Sequence, residues 1–184
     1  MMGKLILILG GARSGKSAYA QQLAREADRE QGGGVLCIAT AEAGDEEMRA
    51  RIESHRRDRP PGWETVEAPS GIGAVVAQVG VERAAVIVDC LTLLMSNLLL
   101  AGGEDVDAEE AAKTILKEVE ELIAAARAVE ADVIVVSNEV GMGIVPLTRL
   151  GRIFRDIAGR ANQALAQAAD EVYVMWAGLP QRIK

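Results

Sequence analysis

Short runs of consecutive apolar residues punctuate the chain at Leu5 to Leu9, Val35 to Ala39, Ala85 to Val88, Val133 to Val136 and Val172 to Trp176. Each has the length of a strand, and most are β-branched and nearly unbroken rather than alternating, the pattern of strands buried on both faces. Between them lie longer segments with helical spacing. From Ser17 to Glu30, Ala20, Leu23, Ala24 and Ala27 make one apolar face, and Gly32 to Gly34 end the segment. Asp107 followed by Glu110 resembles a capping box opening a helix to about Val129, with Ile115, Leu116, Val119, Leu122 and Ile123 on its stripe. Thr148 can cap another, in which Ile153, Phe154, Ile157, Ala161 and Leu165 recur. Alternating strand and helix predicts an α/β fold with a mainly parallel sheet, helices on both faces, and ligands outside the carboxyl ends of the strands.

That rule directs attention to the residues just past each strand. After the first come Gly10, Gly11, Ala12, Arg13, Ser14, Gly15, Lys16 and Ser17, which fit the phosphate-loop pattern G-x-x-x-x-G-K-[ST]. Glycines let backbone N–H groups curl around an anion, and the next helix points its positive end at the same place. In this reading Lys16 reaches the terminal phosphates and Ser17 offers a hydroxyl to Mg²⁺. Thr40 and Ala41 come after the second strand, Asp89 after Val88, and Ser137, Asn138 and Glu139 after Val136. VIVDC has the form of a Walker B strand whose Asp89 holds Mg²⁺, although a strand-end aspartate capping a helix near Leu91 has the same appearance. SNEVGMGIVP, from Ser137 to Pro146, reads either as a flexible connection or as a substrate or nucleotide loop. There is no N-K-x-D guanine-reading motif.

Composition narrows the classes. With 184 residues and 49% hydrophobic content, residues 1–184 are most simply one domain with a sizeable core. Lys+Arg 20 against Asp+Glu 27 gives −7, which disfavours nonspecific binding to nucleic acid or an anionic membrane. Any polyanion must then be met by a local basic cluster. Lys4 before an apolar run imitates a signal peptide, but the run is short and leads straight into the phosphate loop. Leu91 to Ala101 falls short of the roughly 20 residues that span a bilayer. Cys37 and Cys90 lie far apart without a CxxC pattern and read as buried strand-end thiols. The expectation is a cytoplasmic protein with no membrane span and no nucleic-acid partner.

The basic cluster is found in RIESHRRDRPPGW, Arg51 to Trp63, with Asp45 placed to cap a short helix and Arg59-Pro60-Pro61-Gly62 placed to stop it. Met48, Ile52 and His55 share one face at helical spacing, and Arg49, Arg51, Arg56, Arg57 and Arg59 crowd around it. Guanidinium forks suit triphosphate oxygens. His55 is the only histidine in the chain. Spacing alone is compatible with a core residue or with a nucleophile or proton carrier acting on phosphate.

Taken together, GGARSGKS, IATAEAGDEEMRARIESHRRDRP, WETVEAP, VDCLTLLMSNLL, SNEVGMGIVP, FRDIAGRANQ and AGLPQRIK resemble the bifunctional adenosylcobinamide kinase/adenosylcobinamide-phosphate guanylyltransferases of cobalamin biosynthesis, essentially end to end. The resemblance implies a RecA-like P-loop NTPase fold, a homotrimer and two reactions on one corrinoid. A nucleoside triphosphate, ATP or GTP, phosphorylates the aminopropanol hydroxyl of adenosylcobinamide. GTP then donates GMP through a histidine intermediate, giving adenosylcobinamide-GDP and pyrophosphate. Carried over by position, His55 is the guanylylated residue, and Gly10, Gly11, Ala12, Arg13, Ser14, Gly15, Lys16 and Ser17 bind phosphates. Ala39, Thr40, Ala41, Arg56, Arg57, Asp58, Glu67 and Asp89 contribute to the nucleotide site on the same grounds. The residues by themselves also accommodate a P-loop kinase of another small molecule, or a regulatory ATPase that transfers no group.

Overall fold

The computed structural model describes residues 3–42, 46, 49, 53, 57, 59–103 and 105–184. Seven strands form one sheet in the order β3-β2-β4-β5-β1-β6-β7. They are β1 (Leu5–Gly10), β2 (Val35–Ala39), β3 (Glu64–Glu67), β4 (Ala85–Asp89), β5 (Asp132–Asn138), β6 (Glu171–Trp176) and β7 (Leu179–Arg182). All neighbours run parallel except β6 and β7, which form an antiparallel hairpin. The described helices are α1 (Lys16–Gln31), α2 (Ile72–Val79), α3 (Leu91–Ala101), α4 (Ala108–Ala128) and α5 (Arg149–Ala168), with a 3₁₀ turn at Gly80–Glu82.

The unbroken apolar runs are explained by two separate cores. Leu5, Leu7, Leu36, Ile38, Val86, Val88, Val133, Val135 and Val172 face one side of the sheet, where they meet α2, α3, α4 and α5. The alternate residues Ile6, Ile8, Val35, Cys37, Ala85, Ile87, Ile134 and Val136 face the other, where Ala20, Ala24 and Ala27 bring α1 down with their small side chains. Strands β1, β2, β4 and β5 thus bury both of their period-two sets. Cys37 lies in the middle of β2 rather than at its end, and only Cys90 comes directly after a strand; both thiols are free and buried.

The helix signals act as read. Asp107 accepts from the N–H groups of Glu109 and Glu110 through one oxygen, Oδ1, each at 2.9 Å, and Thr148 Oγ1 accepts from Gly151 N at 3.1 Å. Such caps contribute about 1 kcal/mol each. α1 ends at Gly32, whose N–H reaches Asp28 O. Three elements were not apparent from the pattern. The strand β3 is half polar at an edge of the sheet, β7 is exposed throughout, and α2 has no cap of its own. Its first N–H is satisfied from elsewhere in the fold, by Glu118 Oε1 of α4 at 2.7 Å. The proposed helix cap at Asp45 and the apolar face of Met48, Ile52 and His55 lie outside the described residues, as do Arg51, Arg56 and Asp58.

Candidate functional site

Parallel register brings the carboxyl ends of the central strands to one edge. Gly10 of β1 stands opposite Asn138 of β5, and Ala39 of β2 stands opposite Asp89 of β4 on one side and Glu67 of β3 on the other. The predicted residues Gly10 to Ser17, Ala39, Thr40, Ala41, Glu67 and Asp89 therefore share that edge. His55, Arg56 and Asp58 lie outside the described residues; Arg57 is helical and exposed, its Nε donating to Glu53 O at 3.4 Å.

The chain leaves β1 through Gly10 at φ 153, where a Cβ would stand 2.6 Å from Ser14 Oγ and 2.8 Å from Met175 O. Only glycine fits that crowding. Gly15 precedes α1 at φ 96. Between them the loop closes with Ser14 N donating to Gly11 O at 3.3 Å. Lys16 folds back so that its Nζ donates to Gly11 O at 2.6 Å, and its side chain is buried. Burial lowers the Lys16 pKa, opposed by the nearby Cys90 and Asp89. Ser14 Oγ is buried and makes no hydrogen bond. A buried hydroxyl without a partner beside a helix N-terminus is what an anion site leaves for its ligand to complete.

On the other side, Asp89 is half-buried and α3 begins after Cys90, with no side-chain cap. The helix-cap reading of Asp89 therefore has no support here. The junction is held by Thr40, which is fully buried: Oγ1 donates to Cys90 O at 2.7 Å and accepts from Cys90 N at 2.9 Å. Asn97 of α3 donates to Thr40 O at 2.8 Å. The Cys90 thiol, pushed up to about 11 by burial and then by Asp89, stays protonated and is no nucleophile at neutral pH. Among the described residues no group of three or more His, Cys, Asp or Glu side chains could hold a metal. Ser17 and Asp89 are the residues that the sequence offers to Mg²⁺ carried by substrate phosphates.

Sequence reasoning placed Ser137 and Asn138 at this edge but did not find Asn162 and Thr92, which hold them. Ser137 Oγ donates to Asn162 Oδ1 at 2.7 Å, Asn162 Nδ2 donates to Asn138 O at 3.3 Å, and Asn138 N donates to Thr92 Oγ1 at 2.7 Å. The end of β5 is thereby fastened to α3 and α5. The hairpin turn Ala177-Gly178, with φ 49 and 85, is a two-residue turn of the primed kind. Its Gly178 N donates to Ser14 O at 3.0 Å, so AGLPQRIK braces the phosphate loop. The Ala-Gly pair between β6 and β7 was the available signal for it. Beside the loop lies a cavity of about 190 Å³ whose base is Leu9, Gly10 and Gly11, walled by Val174, Trp176 and Met142, with Glu139 at its side. The loop after β5 leaves Met142, Ile144, Val145 and Leu147 exposed.

The family model for cobinamide kinase / cobinamide phosphate guanyltransferase matches residues 6–183. The chain is 44% identical over 185 residues to the bifunctional adenosylcobalamin biosynthesis protein CobU of Escherichia coli, covering 98% of this chain and 99% of that protein. It is 42% identical over 179 residues to the bifunctional adenosylcobalamin biosynthesis protein CobP of Pseudomonas aeruginosa, covering 97% and 96%. Among solved structures, the KaiC-like protein PH0186 from Pyrococcus horikoshii superposes with a TM-score of 0.54 at 15% identity, covering 94% of this chain and 71% of that one. That likeness concerns the fold alone, which is RecA-like.

Proposed function

The chain belongs to the cobinamide kinase / cobinamide phosphate guanyltransferase family, and from that premise we propose that it phosphorylates adenosylcobinamide with ATP or GTP and then transfers GMP from GTP to the product, in one domain. The observation that carries the first step is the buried Lys16 ammonium, tied to Gly11 O within reach of the Asp89 charge. On binding a nucleotide, Lys16 exchanges this carbonyl for phosphate oxygens and neutralises charge on the transferring group. Catalysis of phosphoryl transfer is mainly such positioning and electrostatics. Gly10, Gly11, Ala12, Arg13, Ser14, Gly15 and Ser17 cradle the phosphates, with the orphan Ser14 hydroxyl as one of the donors. Ala39, Thr40, Ala41 and Glu67 complete the nucleotide site from β2 and β3. Ser17 and Asp89 would hold Mg²⁺, which would supply positive charge to the phosphates.

In the second step His55, as neutral imidazole, attacks the α-phosphorus of GTP; the N–P bond forms as the bond to the β-phosphate oxygen breaks and pyrophosphate leaves. Arg56 and Arg57 balance its charge, and Asp58 belongs to the same nucleotide site. Cobinamide phosphate then displaces the imidazole and takes GMP. An unperturbed imidazole pKa of about 6.5 leaves the neutral form abundant near pH 7. The homotrimer rests on the family resemblance, and the exposed Met142, Ile144, Val145 and Leu147 after β5 are suited to a contact between chains. No helix of the described residues is long and apolar enough to cross a membrane, in keeping with a cytoplasmic enzyme.

Labelled GTP tests this reading. Label at the α-position stays on the denatured protein, label at the γ-position does not, acid removes it, and His55→Asn never acquires it. Label or GMP transfer persisting in His55→Asn overturns the covalent mechanism. An absence of any label on the parent protein favours a plain kinase or a regulatory ATPase.

A further inference from the structure

The kinase step leaves one atom unaccounted for, the proton of the acceptor alcohol. In the sheet order, β5 lies between β1, which carries the phosphate loop, and β4, which carries Asp89. The residue after Asn138 therefore issues between the two groups assigned to the nucleotide. That residue is Glu139. Its backbone N–H donates to Gly10 O at 3.1 Å, which fixes it to the root of the phosphate loop. Its Oε1 accepts from Gly141 N, which pins the carboxylate within its own turn. Upstream, the strand end is held by Asn162 and Thr92, so Glu139 starts from a rigid point.

Glu139 lines the cavity together with Gly10 and Gly11, and Gly11 O is the atom that Lys16 Nζ holds. Among the residues lining this cavity, Glu139 is the one that can accept a proton; Leu9, Met142, Val174 and Trp176 supply apolar walls. Its volume of about 190 Å³ is near the roughly 150 Å³ that holds a benzene molecule. The space admits a short aliphatic arm and excludes a macrocycle. An apolar slot with one carboxylate, opening on a phosphate loop, is shaped for an alcohol on the end of an alkyl arm.

The geometry points to Glu139 as the general base of the kinase step. This rests on the kinase reading above and adds the residue that the reaction needs. The alcohol arm enters between Trp176 and Met142. The O–H bond breaks with its proton going to the Glu139 carboxylate, and the alcohol oxygen bonds to the γ-phosphorus. The bond from that phosphorus to the β-phosphate oxygen breaks, and its electron pair leaves with the nucleoside diphosphate. The GMP transfer has no need of this group, because its acceptor is already a phosphate anion.

The test compares both half-reactions in Glu139→Gln, which keeps the size of the side chain and removes its basicity. Phosphorylation of adenosylcobinamide at saturating Mg-ATP is expected to lose 10²- to 10⁴-fold in kcat, as for other positioned bases, about the range of that effect. Affinity for a fluorescent ATP analogue is expected not to fall, since the charge removed repels phosphate, and GMP transfer to separately prepared adenosylcobinamide phosphate is expected to change by no more than about threefold, since its acceptor needs no base. Glu139→Asp, which keeps a carboxylate at a shorter reach, falls between. Kinase turnover in Glu139→Gln within about fivefold of the parent overturns the assignment. So does a parallel fall of both half-reactions, which means that the residue only supports the loop. A parent protein that phosphorylates no corrinoid overturns the functional reading and this inference with it, whereas an active parent matched by Glu139→Gln overturns the inference alone.

Discussion

The catalytic edge of the sheet has two halves, built in different ways. Around β2 and β4, Thr40 is fully buried and its hydroxyl both donates and accepts, with Cys90 and Asn97 completing the lock. Around β1 and β5, the phosphate loop leaves a buried hydroxyl at Ser14 without a partner, and the neighbouring space is a cavity. One half spends its polar groups on itself. The other fastens the end of β5 in the same way but leaves the Ser14 hydroxyl without a partner. The difference teaches that of two hydroxyls of equal chemistry, a few strands apart, one is committed to the fold and the other is left for something else to complete.

The comparison breaks most visibly at Lys16. Replacing it with alanine removes the charge that the open half holds for phosphate, and kinase turnover should fall by about 10³-fold, the size of a lost electrostatic contact to a developing charge. Circular dichroism and the melting temperature should stay close to those of the parent. A variant with near-parental turnover at saturating Mg-nucleotide would return the loop to a structural turn. In the locked half, Thr40→Val leaves the Cys90 N–H and C=O without their buried partner and should lower unfolding free energy by about 2 kcal/mol in urea titrations. An unchanged midpoint would mean that the network contributes nothing. The smallest effect sharpens the contrast. Ser14→Ala should change stability by less than about 0.5 kcal/mol, since no bond is lost, yet weaken nucleotide binding by about 1 kcal/mol, or about fivefold. Calorimetric titration with Mg-ATP measures it, and equal affinities would remove Ser14 from the binding set.

Much of this edge was legible because its signals are local. The glycine spacing of Gly10 to Ser17, the apolar runs that became β1, β2, β4, β5 and β6, and the caps at Asp107 and Thr148 each depend on a few adjacent residues. The elements that escaped depend on partners distant in sequence. The α2 helix borrows its cap from Glu118, and its short apolar stretch has no period by which to tell helix from strand. β7 buries nothing, so no hydrophobic pattern announces it; it exists because β6 offers an edge. The polar residues after the strands could be collected at one edge from sequence. That Glu139 stands beside Gly10, and not beside Glu67, depends on strand order, which no local pattern encodes. The resemblance named AGLPQRIK as characteristic without giving its task, which the Gly178 to Ser14 bond provides.

The position of β1 also has a consequence in time. It is the first strand to leave the ribosome, yet both of its neighbours, β5 and β6, are made late, and Leu5 N waits for an acceptor on Asp170, 165 residues further along the chain. Closing contacts over such separations is slow, and a strand without partners is exposed to wrong pairing in the meantime. β1 can take its place in the sheet only after both β5 and β6 have been made. Since Gly178 clasps the loop that β1 carries, that brace can form only after the β6–β7 turn has been made, far past the phosphate-loop sequence itself.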